Sequence, residues 1–352
     1  MELLLAQRIE RRRRRQRVHR PWTTYLSLSE AECRSKLQLS RQAVTYLCHL
    51  LADDLEATPS CPYALPVAVK VTAALYFFAT GSFQHPLSSI GGMSQSTVSL
   101  AIRAVTVSLV AHAKNFIKFP VSPASQEAVK QEFMAKFGFP GVLGVIDCTH
   151  VQLRGPSENA LVYVNRKGTH SINIQVISDA SCNVTYVFAN YPASCHDSFI
   201  LTKSAIPAVF QGNPHVEGWL LGDSDYPLKT WLMTPYLKPA TVRNISFNRK
   251  HAKAHAVIRR TLGMLKMRFQ CLRKTAGTLQ YSPRKVGSFF VACCVLHNIA
   301  MRHGCLLDIN EDNIEDLRRW DAELQVQMPV NSNFPVEAVA QRDELAEELL
   351  QL

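Results

Sequence analysis

The chain has 352 residues, of which 47% are hydrophobic and 19% are charged, and its formal net charge is +11. This composition excludes an intrinsically disordered chain and allows a sizeable core in one large domain or two to three smaller ones. Residues 308–352 carry 12 acidic and 3 basic side chains, so the remainder has a net charge of +20. A body this basic favours a polyanionic partner, most often nucleic acid, although a merely basic soluble protein is the alternative.

We expect neither secretion nor membrane insertion. The opening MELLL is too short for the apolar core of a signal peptide, and the basic residues follow it instead of preceding it. No apolar run reaches the roughly 18 residues that span a bilayer. Ten cysteines with no CxxC pair favour reduced thiols, as in a cytosolic or nuclear protein, and support neither zinc nor disulfides.

Residues 1–25 form a basic arm that contains Arg11 to Arg15, Arg17 and Arg20. Like charges at this density cannot pack into a core, so the arm is typical of a nuclear-import signal or a phosphate-binding segment. The alternative is a solvated helical extension. From this arm we predict that the protein is located in the nucleus and also in the cytoplasm.

Residues 26–120 read as a helical domain. Ser40 is placed to cap one helix, and Pro66 and Gly81 are placed to begin and end another. A short helix at residues 88–90, a Gly91–Gly92 turn and a helix capped by Ser94 have the outline of a helix-turn-helix. An ordinary helical hairpin packed on the main domain explains the same pattern equally well.

Residues 121–305 read as an α/β domain that follows a linker at residues 119–125. Strands are predicted at residues 141–153, in a hairpin over residues 171–191, and at a segment that ends at Asp223. Helices are predicted near His196 and over residues 249–269 and 283–303. The fold class is therefore a mixed sheet flanked by helices, preceded by the helical domain, with residues 306–352 as an acidic C-terminal tail.

Two aspartates fall where this sheet could support metal chemistry. Asp147 lies in the middle of an apolar strand, where a charge is costly unless it binds something, and Asp223 ends another strand. Two carboxylates on neighbouring strands can hold Mg²⁺ or Mn²⁺, and paired metals would activate water against a phosphate. The alternative is that each aspartate only caps a strand or turn.

Several segments resemble the harbinger transposase-derived nuclease family, and the likeness runs from about residue 40 to residue 305. The segments that carry it are GVIDCTHV, YVNRKGTHSINIQV, NYPASCHDSFIL, WLLGDSDYPLKTWLMTP, FNRKHAKAHAVIRRTLGMLKMRFQCL and ACCVLHN. The resemblance implies an RNase H-like DDE nuclease that cuts DNA with divalent metal, with Asp147 and Asp223 as the first two acids. It also implies a Myb-like trihelix protein as partner. A homo-oligomer is left open.

The third acid of the family pattern is missing. The pattern places a glutamate where this chain has Arg259, followed by Arg260. From Pro227 to Leu306 the sequence contains no Asp or Glu, so a substitute would have to lie elsewhere. Asp225, Asp197 and Asp179 are the substitutes we consider. A guanidinium cannot ligate a metal, so we expect Arg259 to repel one or to pair with Asp147 and Asp223.

Further basic residues suit phosphate contacts, namely Arg166, Lys167, Arg259, Arg260, Lys266 and Arg268; the alternative is a solvated basic face. We expect His150, His170 and His196 to be structural more often than metal ligands. The leading hypothesis is a domesticated, metal-dependent DNA nuclease whose activity is weak or lost. The alternatives are a catalytically inactive DNA-binding or scaffold protein that acts with the Myb-like partner, and a protein–protein module.

Overall fold

The structure is a computed structural model that describes residues 24–56, 64–81, 93–273, 278–307 and 334–351. The basic arm and the first helix and glycine turn of the proposed helix-turn-helix lie outside the described residues. The N-terminal part is helical, as predicted. Its helices are α1 (Glu30–Leu37), α2 (Arg41–Leu50), α3 (Ala52–Leu55), α4 (Val67–Thr80), α5 (Gln95–Ala111) and α6 (Ala113–Phe116).

The predicted caps of these helices are confirmed. The Ser40 hydroxyl accepts a hydrogen bond from the backbone N–H of Ala43, and the Ser94 hydroxyl accepts one from Thr97. Gly81 ends α4 with a φ of +63°, a left-handed conformation that glycine adopts without strain. Local capping chemistry therefore fixes where these helices begin and end.

The centre of the molecule is a five-stranded mixed sheet with the order β3–β2–β1–β4–β5. Strands β1, β2 and β3 are antiparallel neighbours, whereas β4 runs parallel to β1 and β5 runs parallel to β4. The strands are β1 (Val142–Gln152), β2 (Ser171–Ser178), β3 (Val184–Pro192), β4 (Trp219–Leu221) and β5 (Leu232–Met233). This is the mixed sheet expected of an RNase H-like domain.

Helices pack on both faces of the sheet. They are α7 (Pro123–Phe137), α8 (Asp197–Lys203), α9 (Ile206–Gly212), α10 (Val242–Arg268), α11 (Pro283–Arg302) and α12 (Val336–Gln351). One core includes Val145 and Leu221 from the sheet together with Ile258 of α10, and it continues without a break into the N-terminal helices. A second core, on the opposite face, contains Ile146, Cys148 and residues of α8 and α9. None of the helices in the described residues is long and apolar enough to cross a bilayer.

Four elements were not anticipated from the sequence. The segment expected as a linker up to residue 125 already begins α7 at Pro123, because the Ser122 hydroxyl caps the helix. Helix α9 and strand β5 were missed because each is short. The acidic tail contains α12, whose Ala338, Leu345 and Leu349 are buried in the main core. A tail that contributes to the core is part of the folded domain.

Candidate active site

The sheet brings Asp147 and Asp223 to the same level. Val145 of β1 pairs with Leu221 of the parallel strand β4. Asp147 comes two residues after Val145, and Asp223 comes two residues after Leu221. Because side chains alternate along a strand, Asp147 shares a face with Val145, the face that packs against α10. The two predicted acids therefore lie at the same level of neighbouring strands, close enough for the charge of Asp223 to act on Asp147.

Each of these acids is held by a local backbone group. The carboxylate of Asp147 accepts a hydrogen bond of 2.8 Å from the N–H of Cys148. The carboxylate of Asp223 accepts one of 3.0 Å from the N–H of Asp225, because the chain turns directly after β4. The turn leaves the Asp225 side chain half-buried beside the cluster.

A third carboxyl, that of Asp197, belongs to the same electrostatic cluster. Asp197 is the first residue of α8, it is buried, and its Oδ1 accepts a hydrogen bond of 2.9 Å from the Nδ2 of Asn173. Burial, helped by the charges of Asp223 and Asp225, raises the pKa of Asp197 to about 7, although Asn173 and the Cys148 thiol oppose this by hydrogen bonding. The Cys148 side chain lies in the second core, so Asp197 approaches from the face opposite to α10.

The cluster concentrates negative charge in a poorly solvated place. Burial raises the pKa of Asp147 well above its usual range, and the charges of Asp223 and Asp197 add to the effect. The Cys148 N–H and the guanidinium of Arg259 act in the opposite direction, which shows that Arg259 is close enough for its charge to act on Asp147. In such surroundings a carboxyl group either keeps its proton to higher pH or takes a cation as partner.

Two histidines of α10 hold this helix against the sheet and so place Arg259 near Asp147. The Nε2 atoms of His251 and His255 lie 3.2 Å from the backbone carbonyl oxygens of Met233 and Ile146. Their rings stack 5.7 Å apart, one helical turn from each other. Arg259 comes four residues after His255 and so continues the same face, next to the acids. The spacing of four residues from His251 to His255 to Arg259 is a sequence signal for one helical face, and the sequence analysis did not use it.

The donor set does not fit a metal centre with two ions. Within the part of the chain that the structure describes, no group of three or more His, Cys, Asp or Glu side chains converges on a point that could hold a metal. Asp147 faces α10 whereas Asp197 approaches from the opposite face, and the cation whose charge acts on Asp147 is the guanidinium of Arg259. Of the three substitute acids considered, Asp197 is the one that is buried and whose charge acts on Asp147.

The other two proposed substitute acids, Asp225 and Asp179, differ in their distance from the acid cluster. Asp225 reaches the cluster through its charge and its backbone N–H. Asp179 lies instead in the turn between β2 and β3, where its carboxylate accepts hydrogen bonds from the backbone N–H groups of Ser181 and Asn183. Asp179 is thus a turn residue, and its proposal as a substitute acid is corrected.

The basic residues predicted to contact DNA divide into two groups. Arg166, Lys167 and Arg260 are exposed, and Arg259 is half-buried at the acids. Lys266 and Arg268 are only 1% exposed. Lys266 donates to the carbonyl of His150, and Arg268 donates to the carbonyls of Gln38 and Cys305. These two side chains bind backbone inside the fold and cannot reach a phosphate, so their assignment to a DNA surface is corrected.

The three histidines near the acids in sequence have structural surroundings. The Nδ1 of His150 lies 3.0 Å from the Ser171 hydroxyl, deep in the sheet. His196 caps α8 and accepts a hydrogen bond from the N–H of Ser198. The ring of His170 lies against Gly155, where a Cβ atom would meet it at 2.9 Å.

Comparison with known proteins identifies the family. Residues 146–298 match the DDE superfamily endonuclease family. The human protein HARBI1 is 42% identical over 264 residues, which cover 75% of this chain and 76% of that protein. The chain belongs to the harbinger transposase-derived nuclease family.

Other relatives extend this result. HARBI1 of Xenopus laevis is 38% identical over 263 residues, with 75% of this chain and 76% of that protein covered. An Arabidopsis thaliana protein named antagonist of like heterochromatin protein 1 is 26% identical over 288 residues, with coverage of 75% and 72%. No solved structure matches the chain. The DDE superfamily to which the matched family belongs generally uses divalent metal ions.

Proposed function

We propose that this chain is a DNA-binding member of the harbinger family in which Arg259 serves as the cation of the acid cluster, so that metal-dependent cleavage of phosphodiester bonds is weak or lost. The observation that supports the proposal is the place of Arg259 on α10, one helical turn after His255, whose Nε2 lies 3.2 Å from the carbonyl oxygen of Ile146, the residue before Asp147. In that place the Arg259 charge lowers the pKa of Asp147, against the larger effect of burial. A guanidinium keeps its charge at every physiological pH and offers no lone pair to a metal.

A guanidinium beside a metal ion would lower the affinity of the site for that metal. Two unit charges 4 Å apart interact by roughly 4 kcal/mol at an effective dielectric constant of 20. Since about 1.4 kcal/mol corresponds to a tenfold change in affinity, full repulsion of a metal charge would weaken binding by nearly a thousandfold. Solvent and side-chain rotation reduce this figure without changing its sign.

A decisive experiment compares metal-dependent nicking of supercoiled DNA by the wild-type protein, Arg259→Glu and Arg260→Glu. Arg260 is exposed and adjacent, so the second variant makes the same change of charge away from the acids. We expect Arg259→Glu to nick with Mn²⁺ or Mg²⁺ at least tenfold faster than the wild type and Arg260→Glu. A wild type that nicks as fast as Arg259→Glu contradicts the proposal.

DNA binding is tested separately through its dependence on salt. The logarithm of the affinity should fall linearly with the logarithm of the salt concentration, because each neutralised phosphate releases counterions. We expect a clearly negative slope for the wild type that becomes shallower when Arg166 and Lys167 are replaced by serine. A slope near zero would contradict the proposal that the chain binds DNA through phosphate contacts.

A second candidate is a scaffold that acts with a Myb-like trihelix protein, and the surface of α5 favours it. This helix, which the sequence offered either as the second helix of a helix-turn-helix or as part of an ordinary hairpin, exposes Leu100 and Val107 to solvent. Such apolar side chains suit a protein surface better than base edges. Loss of partner capture by Leu100→Ser with Val107→Ser, while DNA binding is kept, would support this role. We also propose nuclear import through Arg11 to Arg15, which their replacement by serine should reduce in cells.

A further inference from the structure

The loop between β1 and β2 holds an apolar tip in solvent. Leu161 is 85% exposed, and Val162 beside it is also exposed. They belong to a 3-10 turn, Ala160–Tyr163, in which the N–H of Val162 donates to the carbonyl of Asn159 and the N–H of Val164 donates to that of Leu161. Hydrogen bonding therefore keeps Leu161 presented outward, although its burial would release on the order of 2 kcal/mol.

A basic turn follows this tip directly. Arg166 and Lys167 are exposed within the tight turn from Asn165 to Thr169. The buried Asn165 side chain holds the turn from inside: its Oδ1 accepts from the N–H groups of Lys167 and Thr169 at 3.1 and 3.2 Å, and its Nδ2 donates to the Ser171 hydroxyl at 2.9 Å. Two positive charges thus stand beside an apolar tip on an ordered support.

The loop is fastened to the segment that leads into the acid cluster. The N–H of Ser194 donates to the carbonyl of Val162 at 3.1 Å, and Asp197 follows three residues later. The side chain of Asn173 then ties this segment to β2, since its Nδ2 donates to both the Cys195 carbonyl and Asp197. The loop is therefore fastened to the segment that begins α8.

We infer that Leu161 is a wedge that enters a DNA duplex between two base pairs while Arg166 and Lys167 hold the flanking phosphates. Apolar side chains inserted in this way unstack a base step at a cost of a few kcal/mol and bend the duplex, which brings more of it against the protein. The two cations favour a polyanion as the occupant, and the apolar tip beside them favours one with an apolar interior to enter. The inference rests on the proposed DNA binding and adds the form in which DNA is bound.

The experiment uses duplexes with 2-aminopurine at successive positions, since the fluorescence of this base rises when it is unstacked. Wild-type protein, Leu161→Ser and Leu306→Ser are compared at saturating concentration and low salt. Leu306 is the matched control, because it is the same residue type, is 74% exposed and lies just after α11. We expect the wild type and Leu306→Ser to raise the fluorescence at one or two positions, and Leu161→Ser to lose most of that rise.

The outcomes separate the wedge from the proposed function. If the chain binds DNA but the wild type leaves every position stacked, or if Leu161→Ser unstacks as well as the wild type, the wedge is wrong while DNA binding stands; the tip is then assigned to a protein contact. If the wild type shows no salt-dependent binding, the proposed function fails and the inference fails with it. Replacing Arg166 and Lys167 by serine should lower the salt slope by about 2, one for each phosphate contact.

Discussion

The Nε2 atom of His255 lies 3.2 Å from the carbonyl oxygen of Ile146, the residue directly before Asp147. This contact fixes α10 against β1 at the level of the acid cluster. It also explains why the next residue on the same helical face, Arg259, acts on Asp147. Under the proposed function, the identity of residue 259 decides whether α10 presents a carboxylate or a cation near Asp147.

The first prediction concerns metal binding without any catalytic readout. Arg259→Glu should gain thermal stability in Mn²⁺, because a ligand that binds only the folded state adds about 3 kcal/mol at a hundredfold excess over its dissociation constant. The wild type and Arg260→Glu should gain little. Differential scanning fluorimetry with and without Mn²⁺ measures the effect. Addition of Asp223→Asn to Arg259→Glu should remove the gain; if the gain persists, the metal lies elsewhere.

A second prediction tests the contact between α11 and β3. A Cβ atom at Gly287 would collide with the backbone carbonyl oxygen of Ala189, whereas one at Gly212 would meet nothing within 4 Å. We expect Gly287→Ala to lower the free energy of unfolding by about 1–3 kcal/mol, because the backbone must move to admit the methyl group. Urea unfolding of both variants measures this, and equal stability of the two would refute the tight contact.

A third prediction concerns the pH dependence of stability. Burial, together with the charge of Arg268, lowers the pKa of His297 to about 4, while its Nε2 donates to the carbonyl of Cys182 at 2.9 Å. Because the folded pKa lies below the unfolded value of about 6.5, the unfolded chain takes up a proton first as the pH falls. Stability is thus full above about pH 6.5 and declines between about pH 6.5 and 4.

His297→Gln isolates this contribution. Between pH 7 and pH 5 the free energy of unfolding should fall by about 2 kcal/mol more in the wild type than in the variant, since glutamine does not titrate. Burial also lowers the pKa of His251 to about 4, but its contribution to the loss of stability is the same in both proteins and cancels in the comparison. Urea unfolding at the two pH values gives the comparison, and identical losses would show that His297 is not buried in its neutral form.

The fourth prediction addresses the C-terminal helix. Leu349 is 1% exposed and its neighbour Leu350 is 46% exposed, so the pair offers a matched comparison on α12. Leu349→Ala should cost about 2–5 kcal/mol by leaving a cavity, whereas Leu350→Ala should stay within about 0.5 kcal/mol of the wild type. Thermal or urea unfolding decides the matter. Equal, small losses would mean that α12 does not pack on the domain.

Much of the fold could be predicted because local chemistry specifies it. The Ser40 and Ser94 caps, the Gly81 end of α4 and the apolar stretch of β1 all appear in the sequence as patterns with a physical cause. Helix α12 could not be predicted as part of the core. Its acidic residues suggested a solvated tail, and only tertiary contacts, such as the ion pairs of Arg243 with Asp343 and Glu347, show where it docks.

The candidate site was predictable only in part for a related reason. The strand positions of Asp147 and Asp223 follow from the apolar runs around them, and the parallel register brings them level. Burial of Lys266 and Arg268 depends on backbone carbonyls contributed by residues far away in the chain, including Gln38. A basic residue at the end of a basic helix reads as exposed, so the sequence alone gives no hint of those acceptors.

Arg268 joins Gln38, between α1 and α2, to Cys305, beyond α11, through hydrogen bonds of 2.8 and 2.5 Å. The N-terminal helices and the sheet also share one continuous core. A partner bound by the N-terminal helices would consequently lie at a separation from Asp147 that the protein itself fixes. Its position relative to the acid cluster would be constant from one complex to the next.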